Sequence, residues 1–328
     1  MSAHRSQHPM VRLFGAVLPY LFFFAGPLAV AACAGGDAPL APTAAPAGQI
    51  DEARRYVSKG QILFAWDTNN STSKTDIYVM NADGSKVTRL TSAPEAEREP
   101  SWSRDNTQIA FTRERLDNVS KTVHPDVNVM NADGSNGRWL TPAPVSYYRY
   151  HPAWSPDGSR IIVSGGNYLE AIDVATGAAQ FLNAGAGGVL GQGATFSPTG
   201  DKFLLAWGTE VFTVNPDGSG KTVLETGPAG SLSELAAYSP TGNKVAFVSN
   251  RAGDREIYAM NADGGGLTQL TKSGGDDSGP SWSPDGKRIT FWSLRTGPAQ
   301  IWSIGASGAN PRQVNPSSYF QGDPAYSH

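Results

Sequence analysis

The feature that most restricts the fold of this chain is a repeat of roughly 45 residues that runs through most of the sequence. An aromatic residue followed by serine returns at spacings of 52, 42, 42, 44 and 44 residues. The six pairs are Trp102-Ser103, Trp154-Ser155, Phe196-Ser197, Tyr238-Ser239, Trp282-Ser283 and Tyr326-Ser327. Four of them continue into Pro-Asp-Gly or Pro-Thr-Gly, whereas the first continues as Arg104-Asp105-Asn106. A period of this length indicates an array of similar supersecondary units.

Each unit carries the signals of four short strands. After the aromatic-serine strand and its turn, apolar residues alternate, as at Ile109 and Phe111, which is typical of a strand with one buried face. The next strand ends in Asn-Ala-Asp-Gly or a related turn, where glycine takes the positive φ that a tight hairpin needs. In the third unit, over 169–177, this turn is one residue longer, and a last short strand ends near a leucine such as Leu90. Four antiparallel strands per repeat predict a propeller blade.

The two ends of the repeat region favour a closed ring over a linear stack. The first unit starts at Gln61 with its second strand, without an aromatic-serine strand of its own. The chain finishes with such a strand, which includes Asp323 to Ser327. Pairing this strand with the first unit completes six blades and leaves no exposed sheet edge at the junction. We therefore predict an all-β fold, a six-bladed β-propeller of four-stranded antiparallel blades closed by the C-terminal strand.

At these residues the pattern resembles the TolB-like six-bladed propeller family. The resemblance is carried by PSWSPDGKRITFWS at 280–293 and by Ser249-Asn250-Arg251 ahead of Glu256-Ile257-Tyr258. It covers about Gly60 to Ser327. TolB itself has an additional amino-terminal α/β domain. Only about ten residues separate the first blade from a preceding spacer, so we expect that domain to be absent here.

The amino terminus has the composition of an export signal. Arg5 and Arg12 precede the twenty uncharged residues from Leu13 to Ala32, which suit a secretory hydrophobic region and are also long enough for an uncleaved membrane helix. The stretch ends in Val30-Ala31-Ala32-Cys33, which resembles the bacterial lipoprotein signal, in which this cysteine is lipidated. Cys33 is the only cysteine of the chain. The alternative is a chance cysteine near an ordinary cleavage site.

These signals divide the chain into three predicted parts. Residues 1–32 form a lipoprotein signal peptide, 33–59 a tether rich in Ala, Pro and Gly with an entry segment, and 60–328 the propeller. Met10 offers an alternative start to Met1. In diderm bacteria an aspartate after the lipidated cysteine retains lipoproteins at the inner membrane. This chain has Ala34 there, so the resemblance implies an outer-membrane anchor and a periplasmic or surface-exposed propeller.

Composition and motifs argue against several classes of function. A formal net charge of −3 with scattered Lys and Arg provides no basic stripe for nucleic acid. A single cysteine forms neither an intrachain disulfide nor a thiolate metal site, and the turn aspartates recur one blade apart, as expected for turn formers. His124, His151 and His328 have no second histidine at metal-ligand spacing. There is also no G-x-S-x-G elbow of a serine hydrolase. We expect no enzyme activity, no cofactor and no metal.

One position of the repeat is a candidate binding site. It lies three residues before each aromatic, where the innermost strand is expected to meet the central channel. The residues there are Glu99, His151, Gly193, Leu235, Gly279 and Asp323. Glu99, His151 and Asp323 would place two carboxylates and a histidine at one mouth, suited to a polar or basic ligand such as an extended peptide. The alternative is that they are solvated loop ends.

The loops of the second and third units differ most between blades. One of them contains Tyr147, Tyr148, Arg149 and Tyr150, and a tyrosine cluster beside an arginine suits a peptide or a sugar. The sequence thus predicts a lipid-anchored extracytoplasmic scaffold that binds a protein or peptide in the bacterial envelope. A carbohydrate- or small-molecule-binding surface lipoprotein and a non-catalytic accessory subunit of a hydrolase are the alternatives.

Overall fold

The computed structural model describes residues 60–67, 74–116, 121–142, 147–165, 168–182 and 192–328. These residues form 24 strands and contain no helix. The strands group into six four-stranded antiparallel sheets, each of which is one blade of a ring. The predicted signal peptide, Cys33 and the tether lie outside the described residues.

The strands of every blade follow one another from the innermost to the outermost. The first blade consists of β24 (Gln321–Tyr326), β1 (Gln61–Trp66), β2 (Asp76–Asn81) and β3 (Thr88–Arg89), and the second of β4 (Glu97–Trp102), β5 (Gln108–Leu116), β6 (Val123–Asn131) and β7 (Arg138–Trp139). The third consists of β8 (Tyr150–Trp154), β9 (Arg160–Ser164), β10 (Leu169–Asp173) and β11 (Ala179–Leu182), and the fourth of β12 (Gln192–Phe196), β13 (Phe203–Trp207), β14 (Glu210–Val214) and β15 (Thr222–Thr226). The fifth consists of β16 (Ser233–Tyr238), β17 (Lys244–Ser249), β18 (Glu256–Asn261) and β19 (Thr268–Gln269), and the sixth of β20 (Asp277–Trp282), β21 (Arg288–Ser293), β22 (Gln300–Gly305) and β23 (Arg312–Gln313).

The ring closes where the C-terminal strand joins the first blade. β24 pairs with β1, with Tyr326 opposite Ile62. The Ser327 backbone N–H donates to the Gln61 carbonyl at 2.8 Å, and the Ser327 hydroxyl accepts from the backbone N–H of Gly60 and of Gln61, each at 3.0 Å. The predicted six-bladed fold and its closure by the last strand are therefore confirmed.

The hydrophobic core is divided among the junctions between blades. Six clusters of buried apolar side chains occupy the six junctions, and each draws residues from two neighbouring blades. The repeated aromatic belongs to these clusters: Trp102, Trp154, Trp282 and Tyr326 are buried. Fully burying a large apolar side chain contributes about 1.5–3 kcal/mol, so the repeat supplies packing at every junction.

The repeated serine and aspartate build the first turn of each blade. In the third blade the Ser155 hydroxyl accepts from the Arg160 backbone N–H at 2.9 Å and donates to Asp157 at 2.6 Å. Hydrogen bonds from serine lower the pKa of Asp157 to about 2, and Gly158 takes φ of 72°. The turn aspartates thus accept hydrogen bonds locally. Asn106 replaces glycine in the second blade and still adopts φ of 58°.

The second turn explains the Asp-Gly pairs. In the second blade Asp133 accepts from the Ser135 backbone N–H at 2.8 Å. Gly134 has φ of 86°, and a Cβ there would lie 2.7 Å from the Leu90 carbonyl oxygen of the neighbouring blade. Glycine therefore serves both the turn and the junction. In the third blade the closing bond runs from the Asp173 N–H to the Ala178 carbonyl, which confirms the turn that is one residue longer.

Candidate functional site

A ring of six bulges surrounds one end of the central channel. Each innermost strand shifts register against its neighbour at the position three residues before the aromatic. All six residues at this position have positive φ: Glu99 54°, His151 52°, Gly193 64°, Leu235 48°, Gly279 66° and Asp323 53°. The six residues lie at equivalent places along the channel wall. We call this set the bulge ring.

Two glycines adopt this conformation easily, but the other four residues do so at a cost. A non-glycine residue in the left-handed region costs on the order of 1–3 kcal/mol, and such residues cluster at functional sites. Aspartate tolerates the region better than a branched or long side chain does. Glu99, His151 and Leu235 therefore hold their positions because the surrounding sheet determines them. Their direction into the channel follows from the bulge, which re-aims a side chain.

The structure brings Glu99, His151 and Asp323 together. Glu99 Oε2 accepts from the His151 backbone N–H at 2.7 Å, and Glu99 Oε1 lies 3.4 Å from His151 Nδ1. The Glu99 backbone N–H donates to Asp323 Oδ2 at 3.2 Å. Glu99 also accepts from the Thr112 hydroxyl at 2.8 Å. The three residues, from blades one to three, form one connected cluster, which we call the acidic mouth.

The other half of the bulge ring is apolar. Gly193, Leu235 and Gly279 come from blades four to six. A Cβ on Gly193 would lie 2.7 Å from Leu235 Cδ2, so glycine leaves the room that Leu235 occupies. The channel end therefore has one charged side and one small, uncharged side. A ligand with a positive group is expected to be drawn to the charged side.

The channel continues inward from the bulge ring as a cavity of about 300 Å³. Proline follows the bulge residue in four blades, at Pro100, Pro152, Pro280 and Pro324, and its fixed φ stiffens the wall. Arg104 and His328 line the same cavity.

Asp323 lies among protein atoms on the wall of this channel. Burial raises its pKa, and the charge of Glu99 raises it further, whereas His151 and Arg98 act in the opposite direction. These surroundings disfavour the ionised carboxyl relative to an exposed aspartate, and a positive charge at the mouth opposes that effect. The mouth is therefore responsive to a cation.

The predicted tyrosine cluster is split between the inside and the surface. Arg149 is 1% exposed, with Nε 2.7 Å from Glu170 Oε2 and Nη1 3.0 Å from Asp126 Oδ1. The Tyr147 hydroxyl donates to Glu170 Oε1 at 3.0 Å. The structure places Arg149 inside the protein rather than on the loop face, because two buried carboxylates from neighbouring blades, Asp126 and Glu170, surround its guanidinium.

Tyr148 and Tyr150 flank Arg149 and turn the other way. Tyr148 is 49% exposed, and Tyr150 is half-buried. Their rings stack with centroids 5.8 Å apart. Burial raises the pKa of Tyr150 to about 12, and the charge of Glu99 adds to that shift, so Tyr150 lies near the acidic mouth.

Two neighbours of the site are not evident from the sequence. Thr112 lies on β5 opposite Arg98, next to Glu99, and the strand register would have identified it. His124 stands out in the sequence only as a possible metal ligand, but its ring lies 5.3 Å from that of Tyr148. No residue spacing predicts this contact, because it depends on how far β6 extends.

Two features are absent from the described part of the chain. Within those ranges, no three His, Cys, Asp or Glu side chains come together as a metal site. The same ranges include no apolar helix of membrane-spanning length.

The fold and the bulge ring define a six-bladed β-propeller with one acidic channel mouth. A family model described as the TolB beta propeller domain matches residues 50–234 and 228–328. The chain belongs to this TolB beta-propeller family, and such a scaffold fits a protein-binding role. No curated protein matches the sequence.

Solved structures show the same fold. The chain is similar to TolB from Acinetobacter baumannii, with 17% identity and a TM-score of 0.68 over 82% of this chain and 66% of that chain. It is also similar to a putative TolB from Agrobacterium tumefaciens, with 24% identity and a TM-score of 0.51 over 56% and 67% of the two chains. Hydrazine synthase from Kuenenia stuttgartiensis shows 16% identity and a TM-score of 0.63 over 86% and 50%.

These identities establish the fold alone, and the match spans 66% of the length of the Acinetobacter protein. One of the similar proteins is an enzyme by name. The propeller by itself therefore does not decide between binding and catalysis, and function has to be argued from the site.

Proposed function

We propose that this protein is a non-catalytic binding module of the bacterial envelope whose acidic mouth holds the positively charged end of an extended protein segment. The observation that carries the proposal is the convergence of Glu99 and Asp323 on one side of the channel, joined through the Glu99 backbone at 3.2 Å. A primary or secondary amine complements two carboxylates. Partial removal from water strengthens the attraction between the amine and the carboxylates relative to that of an exposed ion pair.

The strain in the bulge ring supports a binding role. Glu99 and His151 keep a costly backbone conformation where Gly193 and Gly279 show that glycine is tolerated. A fold under selection for stability alone would favour glycine at every bulge. Retention of a carboxylate and a histidine there is consistent with a task for their side chains.

The uncharged half of the mouth supports an extended ligand. Leu235 packs beside Gly193, neither Gly193 nor Gly279 adds a charged group, and the prolines behind the ring hold the wall in place, so the wall opposite the carboxylates is fixed and uncharged. A preorganised site of this kind reduces the entropy lost on binding.

We further propose that Cys33 is lipidated and that residues 34–59 tether the propeller to the outer membrane. The support is the signal at 13–33 in the sequence. Metabolic labelling with a palmitate analogue is expected to mark the wild-type chain and not Cys33→Ala, whereas equal labelling of both chains contradicts the anchor.

The binding proposal is tested by capture from the native envelope. Purified wild type is compared with the double variant Glu99→Gln/Asp323→Asn. The control variant is Asp254→Asn, which changes an exposed carboxylate between β17 and β18 of blade five. We expect one protein partner to be retained by wild type and Asp254→Asn and lost by the double variant. Melting temperatures check that all three proteins are folded.

Two results contradict the proposal. Equal capture by all three proteins means that the mouth does not bind the partner. Recovery of glycan without any protein favours a carbohydrate-binding function.

With a captured partner, affinity is expected to weaken as the pH falls, because a protonated Asp323 no longer attracts the cation.

A further inference from the structure

Four aromatic rings lead from the edge of the propeller to the acidic mouth. The ring centroids are 5.3 Å apart for His124 and Tyr148, 5.8 Å for Tyr148 and Tyr150, and 6.3 Å for Tyr150 and His151. The last ring is the one whose Nδ1 lies 3.4 Å from Glu99. We call these four residues the aromatic ladder.

An unusually long hairpin carries the outer end of the ladder. β5 and β6 have nine residues each, whereas the corresponding strands of the other blades have five or six. Their pairing continues to Leu116 and Val123, three residues beyond the start of the innermost strand at Arg113 and Glu97. Three extra residues extend a strand by about 10 Å. His124 therefore lies beyond the acidic mouth, and the aromatic ladder runs from His124 toward the mouth.

Buried contacts fix the position of the middle of the aromatic ladder. Arg149, between Tyr148 and Tyr150, is fixed by Asp126 and Glu170 inside the protein, and the Tyr168 hydroxyl donates to the Tyr148 carbonyl. Residues on either side of an inward side chain in an extended segment point outward. The buried ion pairs thus keep both tyrosine rings on the side of the segment opposite to Arg149.

We propose that the aromatic ladder is an outer subsite for a proline-containing extended segment whose amino-terminal residue occupies the acidic mouth. The inference rests on the proposed function and names the ligand class. A polyproline chain rises about 3.1 Å per residue and turns once in three residues. The steps of 5.8 and 6.3 Å between the rings of Tyr148, Tyr150 and His151 therefore correspond to about two residues each, and successive rings contact different sides of such a chain. Flat proline rings stack on aromatic side chains at little entropic cost.

The charge distribution sets the direction of the chain. Both carboxylates of Glu99 and Asp323 lie at the inner end of the ladder, so the positively charged amino terminus is expected there and the following residues outward over Tyr150 and Tyr148. The two steps from His151 to Tyr148 together span at most about four residues of polyproline. A flat sugar platform is less well matched, because Tyr150 and His151 are tilted by 46° to each other.

The test uses a synthetic proline hexamer with a free amino terminus and an amidated carboxyl terminus, titrated into the purified propeller by isothermal calorimetry. Tyr148→Ala is expected to weaken binding by about three- to tenfold, the loss of one aromatic stacking contact. Phe181→Ala is the matched control, because Phe181 is 47% exposed on the same blade but contacts Tyr147 and Tyr168 outside the ladder. It should bind like wild type.

The outcomes separate the subsite from the mouth. Acetylation of the hexamer or Glu99→Gln should weaken binding through the mouth, independently of Tyr148. If these changes weaken binding while Tyr148→Ala does not, the ladder is wrong and the proposed function stands. The proline-segment subsite is overturned if wild type does not bind the hexamer, or if it binds maltohexaose in its place in a Tyr148-dependent way. In either case the envelope-capture experiment still tests the proposed function of the acidic mouth.

Discussion

Glu97→Gln is expected to make the protein more stable at pH 8 and to remove part of the pH dependence of folding. Glu97 is 1% exposed at the junction of blades one and two, where its backbone N–H donates to the Thr75 carbonyl at 2.9 Å. Glu97 Oε2 and Asp76 Oδ1 are both buried without a hydrogen-bond partner among the described residues. Two buried carboxyls in one junction resist being ionised together.

The magnitude follows from the pKa of Glu97. Burial raises this pKa from 4.5 to about 7, and the charge of Asp76 acts in the same direction. A hydrogen bond from Thr91 and the charge of Arg113 oppose the shift. Because the folded pKa lies above the unfolded one, the stabilisation is complete below about pH 4.5 and is lost as the pH rises through 7. At ~1.4 kcal/mol per pH unit, the difference between these two pKa values corresponds to about 3 kcal/mol in the free energy of unfolding.

Glutamine keeps the uncharged form at every pH. Urea unfolding followed by tryptophan fluorescence at pH 5, 6, 7 and 8 measures the free energy of unfolding of wild type and variant. Their difference should grow with pH in favour of Glu97→Gln, by up to about 3 kcal/mol between pH 5 and 8. Glu114→Gln, an exposed carboxylate on β5, is the control. A constant difference between Glu97→Gln and wild type across this range would refute the reasoning.

Three further stability predictions use the same unfolding assay. Asn106 of blade two accepts from the backbone N–H of His328 and donates to its carbonyl, each at 2.7 Å. Asn106→Asp tolerates the same positive φ but loses the donor, so it should cost about 1 kcal/mol; an unchanged free energy of unfolding contradicts a stabilising role for that bond. Arg149→Met leaves buried Glu170 without its cation, whereas Asp126 keeps an ion pair with Arg115 at 3.1 Å, and it should cost about 3–5 kcal/mol, with a smaller loss at pH 5 than at pH 8; a pH-independent loss contradicts the ion-pair account. Gly193→Ala should cost about 1–2 kcal/mol because of positive φ and the contact with Leu235, and less in a Leu235→Ala background, whereas additivity of the two changes rules out that contact.

Much of the fold was predictable because its signals are local. The turn at Ser155, Asp157 and Gly158 is stabilised by hydrogen bonds that span five residues or fewer, so the local sequence alone predicts the hairpin. Six such units in phase imply similar blades. The closing strand was also predictable, since Tyr326 and Ser327 repeat a motif whose partner strand stands at Gln61.

The candidate site was predictable in position but not in conformation. A constant offset from the aromatic placed Glu99, His151 and Asp323 at the same level of the channel, because equivalent positions of a repeat occupy equivalent places in a ring. That offset carried no information about the positive φ of these residues. The bulge that re-aims them arises from a register shift between two strands.

The chain's own order of residues determined the number of blades, the turns and the closure, because these depend on periodicity and on neighbours a few positions apart. Tertiary structure alone decided that Arg149 is buried, that Glu97 faces Asp76 across a junction, and that four rings line up above the mouth. These arrangements join side chains from different strands or blades, and the environment of a charge depends on everything packed around it. Local spacing contains no measure of that packing.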